Sequence, residues 1–159
     1  MMLRAASPDD FAFVRRLTQA PENTPYISDD DETALAAHLA NPAHRLLIWQ
    51  GEHGPLGFAL FCEIGDPSGR IELRRLALAQ TGGGAGAAFL AALMAYAFND
   101  LGASRLWLDA SGENLRAQRV YERAGFMLEG RLRAHWYRPA LGRSVDQLLY
   151  GILRDEWAP

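Results

Sequence analysis

The sequence predicts an α/β (α+β) fold, and three observations carry that expectation. Residues 45–78 hold three β-rich runs joined by short turns, the pattern of an antiparallel meander. The glycine-rich run Thr81-Gly82-Gly83-Gly84-Ala85-Gly86 follows the meander directly. A strongly amphipathic helix follows that run in turn, with Phe89, Leu90, Leu93, Met94, Ala97, Phe98 and Leu101 on its apolar face. At 159 residues the chain reads as one domain, residues 1–159. A chain of this size buries roughly 70% of its unfolded surface, enough to need no disulfide or metal staple.

In order along the chain, Leu3–Ala6 is a short first strand. Ser7-Pro8-Asp9-Asp10 is a helix start, with Ser7 as cap, Pro8 at the first helical position and Asp10 three residues after the cap. Phe11, Val14, Leu17 and Thr18 then recur at helical spacing, until Pro21-Glu22-Asn23-Thr24-Pro25 breaks the pattern. Asp29-Asp30-Asp31-Glu32 opens a second helix through Ala40, with Leu35 and Leu39 on one face. The acidic run is read as charge complementing that helix N-terminus, with attraction of a cationic substrate as the alternative.

Arg45–Gln50, Leu56–Ile64 and Ile71–Leu78 are the strands of the meander. Gly102 stops the amphipathic helix. Arg105–Ala110 is a strand and Asn114–Ala124 a helix, and Phe126–Ala134 and Val145–Leu153 complete the set of seven strands and four helices.

Composition excludes several function classes. The sixteen basic residues, all arginine, against nineteen acids leave a net charge of −3, which argues against nucleic acid as a partner. No apolar stretch reaches the roughly 18 residues of a membrane span, so no membrane role is expected. Met1-Met2-Leu3-Arg4-Ala5 lacks the regions of a signal peptide, and the expected location is cytoplasmic. Cys62, the one cysteine, has no partner for a disulfide or for metal-ligand spacing, so no metal is expected.

Consecutive glycines between a strand and a helix let the backbone take positive φ and aim several N–H groups one way. With a helix N-terminus behind them they form a site for phosphate or pyrophosphate. A P-loop is excluded because it needs a lysine, and the chain has none. A dinucleotide site needs its glycines after the first strand; here they follow a meander, and the acid at a suitable spacing, Asp109, lies 23 residues after Gly86.

The residues downstream separate the remaining readings. Asn114-Leu115-Arg116-Ala117, then Tyr121, then Gly125-Phe126 resembles the N-x-x-A-x-x-x-Y-x-x-x-G-F motif of the GNAT superfamily of N-acetyltransferases, matched at every fixed position. The loop resembles the R/Q-x-x-G-x-G/A signature of that superfamily in two registers. One is Gln80-x-x-Gly83-x-Ala85. The other, Thr81-x-x-Gly84-x-Gly86, is favoured by the helix that follows and puts Thr where Arg or Gln is usual. The resemblance runs from about Ile71 to Trp157. The tail, Glu129–Arg133 with Asp146 and Leu153–Trp157, is similar to the branch that contains ribosomal-protein N-terminal acetyltransferases.

This resemblance implies a mixed, mostly antiparallel sheet of about seven strands, splayed between strands 4 and 5. It implies that Leu76, Ala77 and Leu78 pair with the pantetheine arm of acetyl-CoA. The amides of Thr81, Gly82, Gly83, Gly84, Ala85, Gly86 and Ala87 would hold the pyrophosphate, and Asn114 and Ala117 would contact the CoA arm. Asn114 also reads as a plain helix N-cap. Acetyl transfers by direct attack of a neutral primary amine, either a small-molecule amine or a peptide or protein N-terminus, so no nucleophilic Ser or Cys is required. Tyr121 would protonate the thiolate leaving group. Glu72 would help deprotonate the amine, or else be neutralised by Arg70 or Arg74 on the same strand face. A non-catalytic CoA-binding regulatory module on the same fold is the alternative function. Acceptor contacts are expected from Pro21–Ser28 and His135–Ser144, where Trp136 and Tyr137 stack on an acceptor, pack in the core or pack across a homodimer.

Overall fold

A computed structural model describes residues 1–159. β1 (Met2–Ala5) leads through a 3-10 turn, Pro8–Asp10, into α1 (Phe11–Thr18), and α2 (Glu32–Ala40) follows. β2 (Arg45–Gly51), β3 (Gly54–Cys62) and β4 (Arg70–Leu78) are the meander, each antiparallel to the next. α3 (Ala85–Ala95) continues as a π-helical turn, Tyr96–Asp100. β5 (Arg105–Ser111), α4 (Leu115–Arg123), β6 (Met127–Arg138) and β7 (Arg143–Leu153) complete the chain's main elements. All seven strands join one sheet in the order β1-β2-β3-β4-β5-β7-β6, parallel only where β4 meets β5.

Each face of the sheet has its own core. One is built on α3 and α4, with Phe89, Leu90, Leu93 and Tyr121 packed on Leu73, Leu106 and Leu108. The other is built on α1 and α2, with Phe11, Val14 and Leu17 of α1 and Leu35 of α2 packed on Ile48, Phe58 and Leu60. Burying side chains of this size stabilises by roughly 1.5–3 kcal/mol each, which holds both helix layers against the sheet. The start of α1 keeps half of its predicted capping: Ser7 makes no side-chain cap bond and Pro8–Asp10 form a 3-10 turn, but Asp10 closes back as expected. The Asp10 carboxylate accepts from the Ser7 N–H (2.9 Å), and Arg4 grips both its oxygens at 2.8 and 2.9 Å.

Two expectations need correction. In the acidic run only Asp31 caps α2, accepting the Ala34 N–H at 2.8 Å. Asp29 instead accepts from the Thr18 hydroxyl (2.6 Å) and from Arg15 and Gln19, and Asp30 meets His38 (2.9 Å) and Arg75. These two acids pin the loop to α1 and β4, because their side chains point back under it. α2 rests on the sheet through Leu35 alone, so Leu39 on the next turn is 36% exposed. The final hairpin is also longer than its alternation suggests. Ala134 takes φ +45° and the register slips between Leu132 and Trp136, which interrupts the period-two pattern. Pairing then resumes, Trp136 to Val145 and Arg138 to Arg143.

Candidate active site

The parallel ladder between β4 and β5 has only three pairs, Arg70–Arg105, Ile71–Leu106 and Glu72–Trp107. Past Glu72, β4 runs on to Leu78 against β3 alone, and β5 runs on to Ser111 against β7 alone. The facing edges of Leu73–Leu78 and Leu108–Ser111 therefore carry backbone groups with no strand partner, a place for an extended polar ligand to pair.

A bulge decides which side chains point where. Leu60 pairs with Arg75 and Phe61 with Leu73, so Arg74 is the extra residue in β4. Simple alternation would put Glu72, Arg74, Leu76 and Leu78 on one face. The bulge instead sends Leu76 and Leu78 to the α3 side with Leu73, and leaves Glu72, Arg75 and Ala77 facing the α1 side with Cys62, Leu60 and Phe58.

A cavity of about 280 Å³ opens where the strands part. From β4 it is lined by Glu72, Leu76 and Ala77, from α4 and its cap by Asn114 and Tyr121, and from β5 by Asp109. Residues of both sheet faces meet in it, so it passes through the sheet. Asn23, Tyr26, Ile27 and Ser28 from the α1–α2 loop and Trp136 from β6 close the α1 side. Of the residues the sequence singled out, Glu72, Leu76, Ala77, Asn114 and Tyr121 are thus brought together. Leu78, Ala117 and the loop Thr81–Ala87 lie outside the cavity wall. Of the segment His135–Ser144 only Trp136 reaches it; Tyr137, on the opposite strand face, is 60% exposed.

Glu72 is buried and accepts from Arg74 Nη2 (2.9 Å) and Nε (3.2 Å). Arg70 does not reach it and pairs with Glu63 and Asp66 instead. Asp109, on the same cavity, has no cationic partner; its Oδ2 accepts from the Gln147 amide at 2.7 Å. Burial, with the nearby Glu72 charge adding to it, holds its carboxyl above the usual range, although the Gln147 bond opposes the shift. Tyr121 is buried edge-on to Tyr150, and burial followed by the Asp109 charge raises its phenol well above the ordinary value. Burial pushes the Cys62 thiol up to about 11, so it stays protonated and is no nucleophile at neutral pH.

The glycine loop between β4 and α3 takes the left-handed backbone that its composition predicts. Gly82, Gly83 and Gly84 take φ of +100°, +59° and +81°, with open space where a Cβ would stand. Gly84 caps α3, and of the loop amides Ala85 bonds back, to Gly82. The remaining first-turn N–H groups have no partner within the helix. Asn114 caps α4, its side chain accepting the Ala117 N–H at 3.2 Å while it also lines the cavity.

Asp109 drew no catalytic role from the sequence, Arg138 was covered only by the acceptor segment His135–Ser144, and Arg75, Ser111 and Gln147 on the cavity wall drew none. Asp109 stood in the sequence as the one acid on the strand Arg105–Ala110, at an alternating position shared with Trp107 and Ser111, which is the signal that could have found it. Nothing local to Arg138 announces its partners, which lie 110 to 114 residues away.

The profile of the acetyltransferase (GNAT) domain family matches residues 1–127. An uncharacterised N-acetyltransferase of Mycobacterium tuberculosis is 33% identical over 124 residues, covering 73% of this chain and 78% of that protein. One from Mycobacterium bovis matches with the same figures. Among solved structures, spermidine N-acetyltransferase from Vibrio cholerae in complex with CoA and spermine superposes with a TM-score of 0.86 at 22% identity, covering 98% of this chain and 96% of that one. A dodecameric form of the Vibrio cholerae enzyme gives 0.80 at 23% identity, over 97% and 94% of the two chains. At such identities the structural likeness is one of fold.

Proposed function

Because this chain belongs to the GNAT family of acetyltransferases and is an acetyl-CoA-dependent N-acetyltransferase, we propose that it moves acetyl to a small primary amine held in the cavity between β4 and β5. The observation that carries this reading is the through-sheet opening, which lets thioester and amine enter from opposite faces and meet past Glu72. The loop amides of Gly83, Gly84, Gly86 and Ala87 suit the pyrophosphate, and the free edge of Leu76–Leu78 suits the pantetheine arm.

An alkyl amine has a pKa near 10.4 and arrives protonated at pH 7, so it must lose a proton before it attacks. Glu72 is spent on Arg74, whereas Asp109 keeps an oxygen free of any cation and a raised affinity for protons. Asp109 therefore takes the ammonium proton. The amine nitrogen attacks the thioester carbonyl, and the C–S bond breaks as Tyr121 protonates the departing thiolate. The second nitrogen proton, shed as the amide forms, returns through solvent to the Tyr121 oxygen while Asp109 gives its proton to water.

A small amine fits because the α1–α2 loop and Trp136 enclose the acceptor side, and Asp109, which no cation contacts although Arg74 and Arg75 are near, suits a cationic ligand. The tail that resembles the ribosomal-protein branch has structural work to do. Glu129 pairs with Arg105 (2.8 Å) and Arg131 with Asp146 (2.6 Å) across the strands. A peptide N-terminus is the competing acceptor and a non-catalytic CoA-binding module the competing function. Thiol release from acetyl-CoA, measured with spermidine, monoamines and short peptides, separates all three. Turnover with the amines is expected; turnover only with peptides would overturn the acceptor, and CoA binding without any turnover would overturn catalysis.

A further inference from the structure

Arg138 is the last residue of β6, immediately before the hairpin loop 139–142, and is nevertheless 4% exposed. Its guanidinium donates from Nη2 to the Thr24 (2.7 Å) and Ile27 (2.8 Å) carbonyls, from Nε to the Pro25 carbonyl (3.1 Å), and from Nη1 to the Ser28 hydroxyl (3.2 Å). Its planar face lies on the Trp136 ring, 4.0 Å from the ring centroid. None of these partners is a carboxylate. A buried cation without a counter-ion is costly unless several acceptors replace its water, and here four groups of one loop do so.

We propose that Arg138 is a positioning residue that builds the acceptor wall of the cavity, and the proposal rests on the acceptor reading above. Ile27 and Ser28, two of its partners, line the cavity, as does the Trp136 ring on which it stacks. One side chain therefore fixes two walls, the α1–α2 loop and β6, relative to each other. Other side chains hold the loop at its ends, Asn23 to the Leu17 carbonyl (2.9 Å) and Asp29 to Thr18 (2.6 Å), and turn bonds from the Tyr26 and Ile27 amides to the Asn23 carbonyl (2.9 and 3.0 Å) shape its middle. Between them, residues 24–28 include no regular element, and their carbonyls depend on Arg138 for side-chain donors. Only a planar, multi-donor group meets acceptors in these directions; a lysine ammonium has three donors on a point charge and cannot also stack flat.

The test compares Arg138→Met and Arg138→Lys with the parent protein, using CoA calorimetry, amide exchange and steady-state kinetics with spermidine as the probe amine. In both variants exchange at residues 24–28 should speed up by tenfold or more, with exchange over 85–95 and CoA affinity within twofold of the parent. The spermidine KM should rise tenfold or more while kcat changes less than threefold, a split that general loss of stability would not produce. If Met at this position prevents folding, the Lys variant, which keeps the charge and stem, carries the same expectations. Unchanged exchange at 24–28, or faster exchange with an unchanged KM, would overturn the proposal. Should the parent turn over no amine at all, the acceptor reading itself fails, and with it the role of Arg138 as builder of an acceptor wall, whatever the exchange shows.

Discussion

Glu72 and Trp107 are the last partners of the parallel ladder, and the opening between β4 and β5 begins immediately beyond them. Both are tied down at that point: Glu72 by Arg74, and Trp107 by its Nε1–H to Glu63 at 2.7 Å. The end of the ladder is thus fixed by side chains on both strands, and the cavity starts from a rigid edge.

The Thr81–Ala87 loop is expected to hold the CoA pyrophosphate. At Gly84 a side chain meets open space but must adopt φ +81°, so Gly84→Ala should destabilise by about 1 kcal/mol and remain folded. Gly84→Asp adds a negative charge where the phosphates sit and should abolish CoA affinity. Calorimetry showing unchanged CoA binding in Gly84→Asp would remove the loop from the site.

Tyr121 is expected to act as the acid toward the thiolate. Tyr121→Phe should lower kcat by roughly 10–1,000-fold with acetyl-CoA affinity little changed. The raised phenol stays protonated through the usual assay range, so this step alone should impose no loss of rate up to pH 9. An unchanged kcat would leave Tyr121 as packing against Tyr150.

Asp109→Asn should cut kcat/KM at pH 7 by on the order of 100-fold and remove the acid limb of the pH profile. Its stability effect runs the other way. The folded pKa is raised, so the carboxyl favours the fold at pH below the unfolded value and opposes it once pH rises through the folded one. Thermal melts should show Asp109→Asn at least as stable as the parent at pH 7, with that advantage shrinking on acidification. A less stable variant at pH 7 would mean that the charge is compensated.

Glu72→Gln tests the ion pair. Arg74 is left without its partner, so the melting temperature should fall while the pH profile keeps its shape. Loss of the acid limb in Glu72→Gln, with the limb retained in Asp109→Asn, would return proton removal to Glu72.

Asp10 links pH to stability at the start of α1. The Arg4 hydrogen bonds, aided by the Ser7 amide and opposed by burial, hold its carboxyl below the usual range. That stabilisation is present above the unfolded pKa near 3.9 and is lost as pH falls through the lowered folded value. Asp10→Asn should cost about 1 kcal/mol at pH 7 in denaturant titrations, and the difference should vanish at strongly acidic pH.

Local chemistry along the chain was enough to establish the meander, the capped start of α1, the glycine run before α3, and the Asn114-to-Phe126 helix. In each, the deciding interactions join residues a few positions apart, so spacing and turn residues report them directly. The same spacing misplaced Leu76 and Leu78, because the bulge at Arg74 is set by how β4 fits β3 and reverses every later side chain. It also left Asp109 without a catalytic role, and Arg138 unmarked within the acceptor segment His135–Ser144. Burial beside the parted strands is what raises the proton affinity of Asp109, and no local pattern reports burial. An arginine becomes a clamp only where a loop more than a hundred residues earlier brings its carbonyls to it. Short-range order was written in the sequence, whereas the contents of the cavity depended on contacts between distant segments that only the packed sheet creates.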